Sequence, residues 1–342
     1  MTPHYEDEPD QYLWDRSGAP TPDVERLEQL LRPLGHQRGA APAFPLEPRR
    51  WSSRAWGVGW ALLTAAAALV LGFGAWFLSG GIRGGWTVQQ LAGAPSVDGI
   101  SLAGDALLRR GGQLVTDAAS RARIDIGRIG RVDVEPSSRV SLVTAGTREH
   151  RLSLDRGMIH ARIWAPPRFF FVDTPSAQAT DLGCAFTLKV GEDGGGLLRV
   201  THGWVQFDYG GREAYIPQGA VGETRPGIGP GTPRYEDAPE GYAAALEQLD
   251  FGRSDASARA DALQVVLDAA RPRDALTLWH LLSRAYPPER PRVYERLAQL
   301  APPPPGASRD ALLGGDRKAL QAWWNSLEIE GTSFWSRFRS RF

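Results

Sequence analysis

Ala122-Arg123-Ile124-Asp125-Ile126-Gly127-Arg128-Ile129-Gly130-Arg131-Val132-Asp133-Val134-Glu135 is the stretch whose reading decides the fold. Apolar residues fall at alternate positions on both sides of Gly127–Gly130, the period of a strand with one face buried. The two glycines bound a short turn, so the spacing predicts a hairpin. Asp125, Asp133 and Glu135 occupy the alternate positions and read as its solvated face. Outward from this hairpin the same alternation returns at His150–Leu154, Phe186–Val190, Leu198–Val200 and Trp204–Phe207. Gly191–Gly196 reads as a second hairpin turn. Short alternating runs bounded by Gly, Pro, Ser or Asp predict an all-β domain over residues 86–225, an antiparallel sandwich or solenoid-like roll.

Beyond it the pattern changes. Residues 226–239 are rich in Gly and Pro and read as a linker. Apolar positions then recur at three- and four-residue spacing, as in Leu263, Val266 and Leu267 or Leu276, Trp279 and Leu282. Helices are expected over Ala258–Ala270, Asp274–Ala285, Glu289–Leu300 and Asp316–Leu327, punctuated by Pro272, Pro287-Pro288 and Pro302–Pro305. They predict a C-terminal all-α bundle within residues 240–330. Residues 331–342 form a basic aromatic tail. In a helix, Phe334, Phe338 and Phe342 would share a face flanked by Arg337 and Arg341. Such a tail fits either an anionic membrane surface or a frayed terminus.

Upstream of the β region no residue between Arg54 and Arg83 is charged. The apolar run Trp56–Leu78 makes, at ~1.5 Å per residue, about 34 Å of helix, enough to cross a ~30 Å hydrocarbon layer. Trp51, Trp56 and Trp60 at one end and Trp76 and Phe77 at the other suit the two interfaces. One transmembrane helix is therefore expected over residues 56–78, with the lipid bilayer as a partner. Arg49, Arg50 and Arg54 precede it, whereas Arg83 stands alone behind it. The positive side stays in the cytoplasm. Residues 1–55 are expected inside and the bulk of the chain in the periplasm, a single-pass layout in a bacterial inner membrane.

The cytoplasmic segment carries one helix signal, Pro22–Leu34. Thr21 is placed to cap it, Pro22 suits its first position, and Asp23 and Glu25 favour its positive end. Val24, Leu27, Leu30, Leu31 and Leu34 form a stripe in a segment too short for a core of its own. Trp14, Val24, Leu27 and Leu31 are the candidate partner-binding residues. A tail with only a transient helix is the alternative.

Chemistry is hard to place in this sequence. Lys+Arg and Asp+Glu number 39 each, so the net charge is zero and no direct nucleic-acid partner is implied. Cys184 is the single cysteine, so neither an intramolecular disulfide nor a cysteine zinc site is available. Cys184, Asp181 and His202 invite a thiol-nucleophile reading, but a free cysteine among apolar strand residues reads as a buried thiol. His150, His160 and His202 fall on different strands. Gly194-Gly195-Gly196 lacks the Lys and helix start of a phosphate loop. No catalytic, cofactor or metal site is expected, and the chain does not read as an enzyme.

Ordered motifs complete the picture. These are Gly112-Gln113-Leu114-Val115-Thr116, Ala122–Ile124 with Val132–Val134, Pro136–Val140, Leu152–Ile159, Phe171-Val172-Asp173-Thr174-Pro175, Asp181–Phe186, and Val200-Thr201-His202-Gly203-Trp204-Val205. In order and spacing the region resembles the periplasmic FecR domain. On that resemblance Thr174, Pro175, Gly183, Cys184, Phe186, Gly203 and Val205 are structural motif positions, with Cys184 where the family usually has Thr. The resemblance implies transmembrane signalling: a cytoplasmic N-terminus acting on an extracytoplasmic-function sigma factor, and a periplasmic part facing an outer-membrane receptor. The short cytoplasmic segment and the helical C-terminal extension depart from the family pattern, which weakens the transfer of both partners. A non-enzymatic envelope scaffold, binding proteins or cell-wall polymer, is the alternative function.

Overall fold

The computed structural model describes residues 19–32, 85–252, 255–327 and Ile329. Trp14, the apolar run 56–78 and the tail 331–342 lie outside the described residues. Among the described residues no helix is long and apolar enough to cross a membrane.

The N-terminal helix α1, Pro22–Leu31, belongs to a unit of its own. Pro22 opens it as expected. Thr21 stands at the cap position with extended backbone, but its side chain makes no capping bond. Its carbonyl accepts the amides of Val24 and Glu25 at 2.9 and 3.0 Å.

The second unit is built on two β-sheets that share one strand. The first sheet runs, in spatial order, Ala106–Arg109, Gly85–Ala92, Arg121–Asp125, Gly130–Val134, the second half of His150–Ile163, Ala185–Val190, Gly196–His202 and Ala220–Arg225. The second runs Ile100–Ser101, Ser96–Val97, Gln113–Val115, Arg139–Ala145, the first half of His150–Ile163, Phe170–Asp173, Gln178–Asp181, Trp204–Tyr209 and Arg212–Pro217. The quoted hairpin forms as read, with Ile124 opposite Val132 and the Ile126 amide on the Gly130 carbonyl at 2.9 Å.

The shared strand turns its corner at Gly157. Its φ of 95° is one that side-chain-bearing residues rarely adopt, and a Cβ there would collide with Ser138. The next strand enters parallel, Phe170 opposite His150, a departure from the antiparallel-sandwich alternative. Ile124, Val132, Leu152, Leu154, Phe170, Leu188 and Phe207 are fully buried in the core. Each contributes on the order of 1.5–3 kcal/mol from removal from water.

Residues 226–239, read as a linker, are fixed to the sheet instead. Gly229–Pro230 and Arg234–Tyr235 both pair with Ala220–Arg225. Asp250 holds this stretch by accepting the Thr232 amide at 2.6 Å, and Arg212 Nε donates to the Pro230 carbonyl at 2.7 Å.

Among the described residues six α-helices follow: α2 Tyr242–Phe251, α3 Ala256–Ala269, α4 Ala275–Arg284, α5 Arg290–Leu300, α6 Arg309–Leu313 and α7 Arg317–Ser326. Asp255, Ser308 and Asp316 cap α3, α6 and α7 through their side chains. The helices do not form a separate bundle. They pack on the second sheet at its last two strands, through a cluster of rings. Trp324 lies 5.5 Å from Tyr215, 4.6 Å from Trp279 and 6.0 Å from Trp204, centroid to centroid. Sheet and helices thus share one core.

Candidate functional site

On α1 the apolar stripe has nothing over it within its own helix. No residue of α1 is buried, and Leu27 is 60% exposed. Leu30 and Leu31 are exposed as well, while Val24 is partly covered. Val24, Leu27 and Leu31 stand three and four residues apart, one face of a helix.

The motif residues of the β unit serve its turns and core. Thr174 closes a tight turn: its amide and Oγ1 both donate to the Ala177 carbonyl, at 2.9 and 2.7 Å, and Oγ1 accepts the Ala177 amide at 3.0 Å. Pro175 packs over the Gly191–Gly196 turn, where a Cβ on Gly194 would come within 3.2 Å of it. Gly183 and Gly203 take φ of 87° and 73°, and the Gly183 carbonyl leaves no room for a side chain on Gly203. Phe186 and Val205 are buried. Thr174 and Pro175 thus hold one turn, whereas Gly183, Cys184 and Gly203 meet at another.

Cys184 is buried, and its thiol donates to Asp181 Oδ1. The same carboxyl accepts the amides of Gly183 at 3.0 Å and Cys184 at 3.1 Å. Burial pushes Asp181 up to about 7, against the pull of these three donors. Burial first, and the neighbouring carboxylate second, push the thiol well above its ordinary range. A thiol so held is not a nucleophile. His202 lies exposed on its strand and makes no third member of a triad. His160 bonds Thr187 Oγ1 at 2.8 Å and His150 stacks near Trp86 at 5.9 Å, so the three histidines stay apart. Among the described residues no group of three or more metal-ligating side chains occurs. Native protein is expected to resist thiol reagents until denatured. Cys184→Ser, which keeps a donor for Asp181, should cost no more than about 1.5 kcal/mol in a urea titration, whereas Cys184→Arg should not fold. Rapid labelling of the native chain would contradict this placement.

One side chain escaped the sequence reading. His280 on α4 is completely buried where helices meet sheet. Its Nε2 accepts the Tyr215 amide at 3.1 Å, and its Nδ1–H donates to the Leu276 carbonyl at 2.8 Å. Beside it Arg284, partly buried, donates to the Glu213 carbonyl. Burial, with Arg284 second, holds His280 down to about 3. Its place in the α4 stripe between Leu276 and Leu282 signals burial, but nothing local signals a partner 65 residues away.

This geometry defines a β domain whose motif positions build turns and core and, in a separate unit of the chain, a helix with an open apolar face. Residues 112–206 match the family described as FecR protein, so the chain carries a FecR domain in the middle of its β unit. Two solved structures from Parabacteroides distasonis ATCC 8503, described as a "putative anti-sigma factor", are similar at 18% identity with TM-scores of 0.33. They cover 46% and 45% of this chain and 74% and 73% of their own. No curated protein matches the chain.

Proposed function

We propose that the protein is a single-pass inner-membrane regulator of an extracytoplasmic-function sigma factor. Its FecR domain and docked helices form the periplasmic part, and α1 forms the cytoplasmic contact. The observation that carries the reading is the pairing of a FecR-matched β domain with a separate N-terminal helix whose Leu27 and Leu31 lie open. Covering those side chains would contribute on the order of 1.5–3 kcal/mol each before ordering costs. The uncharged run 56–78, between α1 and the first strand in sequence, supports a bilayer crossing, and the flanking arginines support the cytoplasmic placement of α1. A periplasmic or outer-membrane receptor would supply the signal to the β unit.

Reporter fusions test this layout. A fusion after residue 50 is expected to behave as cytoplasmic, and one after residue 230 as external. The same compartment for both would end the transmembrane reading.

A further inference from the structure

One end of the β unit differs in charge from the rest. Gly85 opens the first strand there. Thr87 opposite Asp125 sets it beside the Ile126–Ile129 turn, and Gly85 opposite Arg109 adds the turn that follows Arg109. Gly130 opposite Ile163 brings in the segment 164–169, and Phe170 opposite His150 brings in the loop 146–149. Hydrogen bonds tie these loops together. Trp164 Nε1 donates to the Arg128 carbonyl and the Trp164 amide to that of Ile129, both at 2.9 Å. The His150 amide donates to the Phe169 carbonyl at 2.8 Å.

Arg109, Arg110, Arg128, Arg148, Arg162 and Arg168 are all exposed at this end. Among the described residues none of their guanidinium groups has a hydrogen bond or ion pair. The acids nearby are few: Asp125; Glu149, paired with Arg151; Asp98, which accepts the Gln113 amide; and Asp181, whose carbonyl accepts the Arg168 amide while its carboxyl is buried on Cys184. At the opposite end Arg121 pairs with Glu135, Arg156 with Glu192 and Arg225 with Asp193, and Arg139, opposite Arg156, is the half-buried arginine left unpaired there among the described residues. In the middle of the unpaired group the Trp164 ring is 62% exposed. Free guanidinium groups around an open indole form a surface suited to phosphate groups at a lipid–water boundary.

We propose that this end of the β unit rests on the anionic headgroups of the bilayer the chain crosses, arginines on phosphates and Trp164 among the headgroups. The proposal rests on the membrane-span reading. Position favours lipid over a soluble polyanion. Six residues separate Leu78 from Gly85. At about 3.5 Å per residue they reach no more than roughly 25 Å, so the end that carries Gly85 is the end tethered near the membrane. The surface would set the orientation of the FecR domain and tune it to lipid charge.

The full chain in lipid nanodiscs provides the test. Nitroxide labels on Arg168→Cys and, separately, Glu192→Cys in a Cys184→Ser background report collisions with a water-soluble nickel chelate. When phosphatidylglycerol replaces a third of the phosphatidylcholine, collisions at position 168 are expected to fall several-fold, while those at position 192 stay unchanged. Salt at 0.5 M, or the triple variant Arg109→Glu/Arg128→Glu/Arg162→Glu, should restore them. These arginines are exposed and unpaired, so circular dichroism should show the triple variant folded. Equal collisions at position 168 in both lipids would overturn the proposal while leaving the span intact. So would polyphosphate binding to the protein in neutral discs with no effect of phosphatidylglycerol. Failure of the chain to enter phosphatidylcholine discs at all would remove the span reading, and the proposal with it.

Discussion

Trp324→Ala is expected to destabilise the whole β–helix unit by about 3–5 kcal/mol, the usual cost of emptying a large aromatic site in a core. Trp324 is almost fully buried, and its ring meets Trp204 and Tyr215 of the sheet, Trp279 and His280 of α4. Removing it opens a cavity at the seam between sheet and helices. The effect should not stay in the helices. Asp250 on α2 reaches back to Thr232, and Arg284 on α4 reaches the Glu213 carbonyl, so the two layers share hydrogen bonds as well as rings. Urea unfolding of the solubilised chain, followed by far-ultraviolet circular dichroism and by fluorescence, should move to a lower midpoint in both signals together. A variant in which the helical signal melts early while the β signal keeps its midpoint would show that the helices are a separate domain after all.

The second large effect is a pair of opposing pH dependences. His280 has both ring nitrogens committed in the neutral form, Nε2 as acceptor and Nδ1–H as donor. Protonation would place an N–H against the Tyr215 amide and a charge beside Arg284. With His280 held at about 3 in the fold and an ordinary value of 6.5 unfolded, the unfolded chain binds the extra proton between those limits. Stability from this group is therefore complete above pH 6.5 and falls as pH drops, by about 3 kcal/mol at pH 4. Asp181 works the other way. Raised from 3.8 to about 7, it keeps its proton in the fold where the unfolded chain has lost it. Its contribution is complete below pH 3.8 and is lost as pH rises through 7, on a similar scale. Between pH 4 and 6.5 the two largely cancel. Asp181→Asn removes one of them. Relative to wild type, the variant should gain stability steadily from pH 4 to 7 in urea titrations. A pH-independent difference between the two proteins would show that Asp181 titrates normally.

What could be read in advance was what is local. The hairpin around Gly127–Gly130 and the turn Gly191–Gly196 declare themselves by alternation and glycine placement within a dozen residues. The helices α3, α4, α5 and α7 fall within two residues of their expected bounds, because spacing and Pro punctuation are local signals too. The shared strand His150–Ile163 was hidden. The apolar alternation changes phase at Asp155–Gly157, from Leu152 and Leu154 to Ile159, Ala161 and Ile163, but only the contact with Ser138 shows that the chain bends there and joins two sheets. Residues 226–239 read as a linker because Gly and Pro dominate them; Asp250 and Arg212, which fix them, stand distant in sequence. The helix α2 begins after Gly241 in a left-handed conformation rather than after a polar cap, so its start carries no signal. Of the candidate site, the α1 stripe was legible as a period, whereas His280 and the unpaired arginines depend on partners, or on missing partners, that only the register reveals.

In the proposed function the open face of α1 holds a sigma factor. Its most direct test is co-purification from membranes of cells carrying either the wild-type chain or Leu27→Asp, with transcription from the sigma factor's own promoter measured alongside. Leu27 is exposed, so the substitution should leave the helix, the membrane fraction and the protein level unchanged. A sigma factor is expected to co-purify with the wild-type chain, to be lost with Leu27→Asp, and promoter output is expected to shift as it does on deleting residues 1–45. Unchanged co-purifying proteins and unchanged transcription in both the variant and the deletion would contradict it and leave the envelope scaffold as the better reading.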